Sequence, residues 1–95
     1  MSPNTSNSRA GFILEGRVQG VGFRWWTRRQ AAAFGLHGTV RNLPDGAVEV
    51  HVEGPGGAVA SFLATVRQGP PGAHVTRVRT VPSEGDLPQE FRVIG

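Results

Sequence analysis

Phe12, Leu14, Gly16 and Val18 share one parity along the chain, and Ile13, Glu15 and Arg17 take the other. Side chains alternate faces along an extended backbone, so this spacing predicts a strand with one buried side, ending at Gln19-Gly20. From Phe23 the period changes. Thr27, Ala31 and Phe34 follow at four, eight and eleven residues, which is one face of a helix, while Arg28, Arg29 and Gln30 fall largely elsewhere. Gly35 is placed to stop that helix as a left-handed cap.

Residues 37–43 read as a second strand, residues 44–46 as a Pro-Asp-Gly turn, and Val48, Val50 and Val52, alternating with Glu49, His51 and Glu53, as a third strand. The apolar set Val59, Phe62, Leu63 and Val66 fits i, i+3, i+4, i+7 and predicts a second amphipathic helix, closed by the Gly-Pro-Pro-Gly of residues 69–72. Residues 74–81 are rich in Val and Thr without clean alternation. They are expected to form a strand at an edge or with a bulge. After a polar loop, residues 90–94 resume a short strand. The order predicts an α+β, ferredoxin-like βαββαβ sandwich, an antiparallel sheet with two helices on one face.

The junction of the first strand and first helix carries chemistry. Residues 16–24 run from strand through a glycine-spaced loop into a helix whose second residue is Arg24. Glycine reaches positive φ at no steric cost, and the first turn of a helix adds unpaired N–H donors and partial positive charge. Such a loop suits a phosphate, and Arg24 adds a donor fork matching two phosphate oxygens. Asn42, near the end of the second strand, shares the parity of Val40. If Val40 points at the helices, Asn42 faces the phosphate loop; turn chemistry before the Pro-Asp-Gly of residues 44–46 is the competing reading.

At 95 residues and 38% hydrophobic composition, the chain has room for one core. It has no cysteine, which removes disulfides and thiolate metal sites and suits a reducing cytoplasm. Residues 1–8 are rich in Ser, Asn, Thr and Pro and lack an apolar run, so residues 1–10 are expected to be a disordered polar tail and 11–95 the domain. No segment reaches the ~20 apolar residues a membrane helix requires. All 10 basic residues are arginine against 7 acids, a net charge of +3 that separates no class of anionic ligand from another.

The residues Gly16-x-Val18-Gln19-Gly20-Val21-x-Phe23-Arg24, followed by Phe34-Gly35-Leu36-x-Gly38-x-Val40-x-Asn42-x-x-Asp45-Gly46-x-Val48, closely resemble the two motifs of acylphosphatases in order and separation. The resemblance runs from about Gly11 to Gly95. It implies hydrolysis of acyl phosphates to a carboxylate and inorganic phosphate without metal or organic cofactor. Arg24 would bind the phosphate and Asn42 would orient the attacking water. The backbone amides of Gln19, Gly20, Val21, Gly22, Phe23 and Arg24 would complete the cradle. Thr39 departs from the family, which usually carries an aromatic there; by parity it faces away from Asn42, so the change bears on packing.

The expected partners are a small acyl phosphate and inorganic phosphate, with no nucleic acid, membrane or metal, for a cytoplasmic monomer. A ferredoxin-like RNA-binding module would stack bases on aromatics of its central strands, and residues 47–53 offer none. A regulatory module that binds phosphate or carbamoyl phosphate without turnover is the other alternative. His37, His51 and His74 are too scattered for a zinc cluster. Trp25 and Trp26 are expected to pack in the core or at the rim of the site.

Overall fold

The computed structural model describes residues 7–95. The elements follow in the order β1 (Asn7–Arg17), α1 (Phe23–Ala33), β2 (His37–Asn42), β3 (Val48–Pro55), α2 (Gly56–Gln68), β4 (His74–Val81) and β5 (Phe91–Val93). The sheet order is β4-β1-β3-β2-β5. Parity placed the buried residues correctly: Phe12, Leu14, Val40, Val48, Val50 and Val52 all point into one core. Alternation works here because both helices lie on one side of the sheet.

α1 packs over β2 and β5, and α2 over β1 and β3. Phe62 of α2 is fully buried, with ring centroids 6.5 Å from Phe34 and 6.3 Å from Phe91. It joins both helices to the strand edge beyond β2. Removing a buried ring costs its transfer energy plus the cavity left behind, so Phe62→Ala is expected to lower unfolding free energy by ~3–5 kcal/mol. Denaturant unfolding followed by circular dichroism measures this.

Two expectations need correction. β1 begins at Asn7, whose partner is Pro55, and Ser8, Arg9 and Ala10 pair with Gly54, Glu53 and Val52, so residues 7–10 belong to the sheet. A polar composition did not prevent this, because backbone pairing with β3 is indifferent to side-chain polarity at a strand end. The rest of the expected tail, residues 1–6, lies outside the described residues. Secondly, the sheet is mixed: β2 and β5 are parallel, and the other pairs are antiparallel. β5 lies away from β4 in the sheet. It crosses to the opposite edge, where Phe91 pairs with Gly38 and drops its ring into the core.

β4 is an edge strand, and its ladder with β1 shifts register between Glu15 and Gly16, leaving Thr76 as the extra residue of a bulge. Gly35 ends α1 with φ 71°, as its position predicts. No helix among the described residues is long and apolar enough to cross a membrane.

Candidate active site

The chain leaves β1 at Arg17 and enters α1 at Phe23 through a loop in which Gly20 (φ 77°) and Gly22 (φ 74°) both take the left-handed conformation. Gly22 is the N-cap residue of α1, and its carbonyl accepts from the Trp26 N–H. With two left-handed glycines the backbone turns sharply. The N–H groups of Val21, Gly22, Phe23 and Arg24 donate to no acceptor among the described residues. Such donors at a helix N-terminus are the recurrent equipment of an anion site.

Phe23 is buried and packs against Trp26 with centroids 5.6 Å apart, which anchors the start of α1 beneath the loop. Trp26 is therefore a packing residue. Trp25 is 53% exposed, with the Arg28 guanidinium 5.9 Å above its ring.

Arg24 and Asn42, eighteen positions apart, meet at a single atom. A backbone oxygen of Gly95 accepts from Arg24 Nη1 at 2.5 Å and from the Asn42 backbone N–H at 2.8 Å. Asn42 lies on the same face as the buried Val40, and its Oδ1 is itself buried with no hydrogen-bond partner among the described residues. Most buried polar atoms are paired, so this orphan acceptor, on a residue whose backbone shares the Gly95 oxygen with Arg24, makes Asn42 a candidate functional position. Parity thus located Asn42 on the helix side, and the turn reading explains only its neighbours: Asp45 Oδ1 accepts from the Ala47 N–H.

Sequence reasoning missed the part played by the Gln19 side chain. Its Nε2 donates to the Leu43 carbonyl at 2.9 Å and to the Ala47 carbonyl at 2.8 Å, tying the loop to the turn that follows Asn42. Both donors of one amide are used, so loop and turn are held as one unit. Gln19→Ala leaves two carbonyls without this donor; with a net worth of ~0.5–1.5 kcal/mol per hydrogen bond, it is expected to destabilise the fold modestly and to raise KM more than it lowers kcat. Steady-state kinetics beside thermal unfolding separates the two effects. Gly95 was also missed, since nothing in that glycine signals a backbone oxygen shared by Arg24 and Asn42.

A depression of about 420 Å³ lies elsewhere, between Arg28, Arg29, Gly35 and Phe91. None of the loop residues lines it. The described residues contain no cluster of His, Asp, Glu or Cys arranged to hold a metal ion.

Fold and site together define an α+β sandwich of the ferredoxin-like class, with a glycine loop at a helix N-terminus facing an arginine and an asparagine. The acylphosphatase family profile matches residues 10–93. An acylphosphatase from Thermococcus kodakarensis is 48% identical over 87 residues, covering 92% of this chain and 96% of the relative. The crystal structure of acylphosphatase from Bacillus subtilis superposes with a TM-score of 0.84 at 35% identity, covering 95% of this chain and 100% of that one. HypF from T. kodakarensis matches with a TM-score of 0.77 at 32% identity over 92% of this chain but only 12% of its own length. The chain belongs to the acylphosphatase family and is an enzyme of that family.

Proposed function

We infer that this enzyme cleaves the carboxyl–phosphate bond of small acyl phosphates, with Arg24 and the amides of residues 19–24 holding the phosphate and Asn42 orienting the attacking water. The observation that carries this reading is the convergence of Arg24 and Asn42 on one backbone oxygen of Gly95 beside the unengaged N–H groups of the loop.

A carboxylate is a good leaving group, so transfer of the phosphoryl group to water needs little proton donation. It needs alignment and stabilisation of charge on the equatorial oxygens. A row of N–H donors with one guanidinium supplies both, and no step requires a metal. Asn42 is a neutral amide and a poor base, but its Oδ1 can accept a hydrogen bond from water and hold the lone pair in line with the P–O bond that breaks. The water's proton goes to a phosphate oxygen. Its consumption by the substrate itself removes the need for a general base in the protein. The enzyme acts as a cytoplasmic monomer in this reading, a setting that suits a chain free of cysteine.

Hydrolysis of benzoyl phosphate, followed by loss of ultraviolet absorbance in the presence of EDTA, tests the reading. Turnover unaffected by chelation is expected. Phosphate binding without hydrolysis would make the domain a binding module, and abolition of turnover by EDTA would overturn the metal-free route.

A further inference from the structure

On the face of the sheet away from the helices, a second constellation joins three strands and the loop after β4. Glu49 and His51 of β3, Arg9 of β1, Arg41 of β2 and Ser83 form one continuous chain of contacts. Arg41 Nε donates to Glu49 Oε1 at 2.6 Å, and His51 Nε2 lies 3.4 Å from Glu49 Oε2. His51 Nδ1 is 2.8 Å from Ser83 Oγ, and Arg9 Nε donates to the same oxygen at 3.0 Å.

The proton positions follow from the donor inventory. Burial pushes the Glu49 carboxyl up, but hydrogen bonds and charge from Arg41 and His51 outweigh it and hold the group below its ordinary value, so Glu49 is a carboxylate. A carboxylate only accepts, which puts the imidazole proton on Nε2 and leaves Nδ1 as acceptor. With the imidazole neutral in that tautomer, the Ser83 hydroxyl donates to Nδ1 while accepting from Arg9. A serine whose proton points at an imidazole, itself oriented by a carboxylate, has the arrangement that activates a hydroxyl as nucleophile.

The backbone makes room for this. A Cβ at Gly11 would sit 2.9 Å from both Cε1 and Nδ1 of His51, so glycine is what lets the imidazole lie against β1. Thr39 is the direct partner of His51 on β2, a small side chain beside the ring. Ser83 and His51 are both half-buried and reachable from the open face. Arg9 Nη2 is buried and has no partner among the described residues, which leaves a cationic donor beside the hydroxyl.

We propose that Ser83 is a nucleophilic acyl acceptor, with His51 as its base, Glu49 orienting the imidazole and Arg9 stabilising negative charge at the reacting centre. Ser83 Oγ attacks the carbonyl carbon of an activated acyl donor, an acyl phosphate or an active ester. The Oγ–C bond forms, and the bond from that carbon to the leaving oxygen breaks, its electron pair departing with the phosphate or phenolate. The hydroxyl proton passes to His51 Nδ1, and Glu49 balances the imidazolium. The product is an ester at Ser83. This site is separate from the phosphate loop and stands whether or not that loop works as inferred above.

The composition favours a clean test. The chain has no lysine, cysteine or tyrosine, so acylation can fall only on hydroxyls of Ser and Thr, on imidazoles or on the α-amine. The protein is treated with p-nitrophenyl acetate and, separately, with acetyl phosphate. Nitrophenolate release, intact mass and peptide mapping are then followed. One acetyl group on the peptide containing Ser83 is expected, absent in Ser83→Ala, formed at least ~10²-fold more slowly in His51→Gln as for loss of a general base, and formed by the ester at the normal rate in Arg24→Ala. Acetyl groups spread over Ser61 and other exposed hydroxyls as fast as Ser83 would overturn the proposal, as would wild-type labelling of His51→Gln. Phosphate in place of acetyl at Ser83 would overturn the assignment to acyl transfer. Mapping on the unsubstituted chain keeps the test decisive even if His51→Gln does not fold.

Discussion

Replacing Arg24 with alanine is expected to lower kcat/KM for benzoyl phosphate by at least ~10²–10³, the usual cost of removing one preorganised donor from a site where charge develops. Two effects act together. The guanidinium brings a full positive charge to the first turn of α1, and with the Asn42 N–H it holds the Gly95 backbone oxygen. Arg24→Lys keeps the charge and is still expected to fail. An ammonium has no planar fork, so it cannot hold that oxygen at one nitrogen and present further donors to phosphate at the other. Initial rates with benzoyl phosphate and the inhibition constant for inorganic phosphate report both losses. Near-normal turnover in either variant would remove Arg24 from the reaction.

Asn42→Ala is expected to lose kcat while keeping affinity for inorganic phosphate. The amide carries no charge to attract the anion, and its proposed role lies with the nucleophile, so its removal is expected to be felt in the transition state more than in binding. Stability is a second readout. Asn42 Oδ1 is buried and unpaired, and the backbone N–H that bonds Gly95 survives in alanine. An unsatisfied buried polar atom costs ~1–3 kcal/mol, so Asn42→Ala is expected to be at least as stable as the parent in thermal unfolding. Such a gain in stability with loss of turnover is the trade-off expected of a functional group. Equal loss of phosphate affinity would make Asn42 a binding residue instead.

Much of this architecture was legible in advance, and for one reason. With both helices on one side, Phe12, Leu14, Val40, Val48, Val50 and Val52 had to share a parity, and Phe23, Thr27 and Ala31 had to share a helical stripe. The glycines of the loop were equally readable, since only glycine occupies such φ values freely. What misled was the sequence end. Asn7 to Ala10 look like tail because their order comes from backbone pairing to β3, which leaves little compositional trace.

The chain by itself determined the element order, the buried face of each element and the loop suited to an anion, because these depend on local periodicity and local φ. It also carried the two motifs that place it in its family. The side of the sheet on which β5 lands, the Gln19 tie between loop and turn, the meeting of Arg24 and Asn42 at Gly95, and the path from Arg9 through Ser83 and His51 to Glu49 were decided only in three dimensions. Each of these joins residues far apart along the chain, and their distances are set by sheet order and register, which no local pattern encodes.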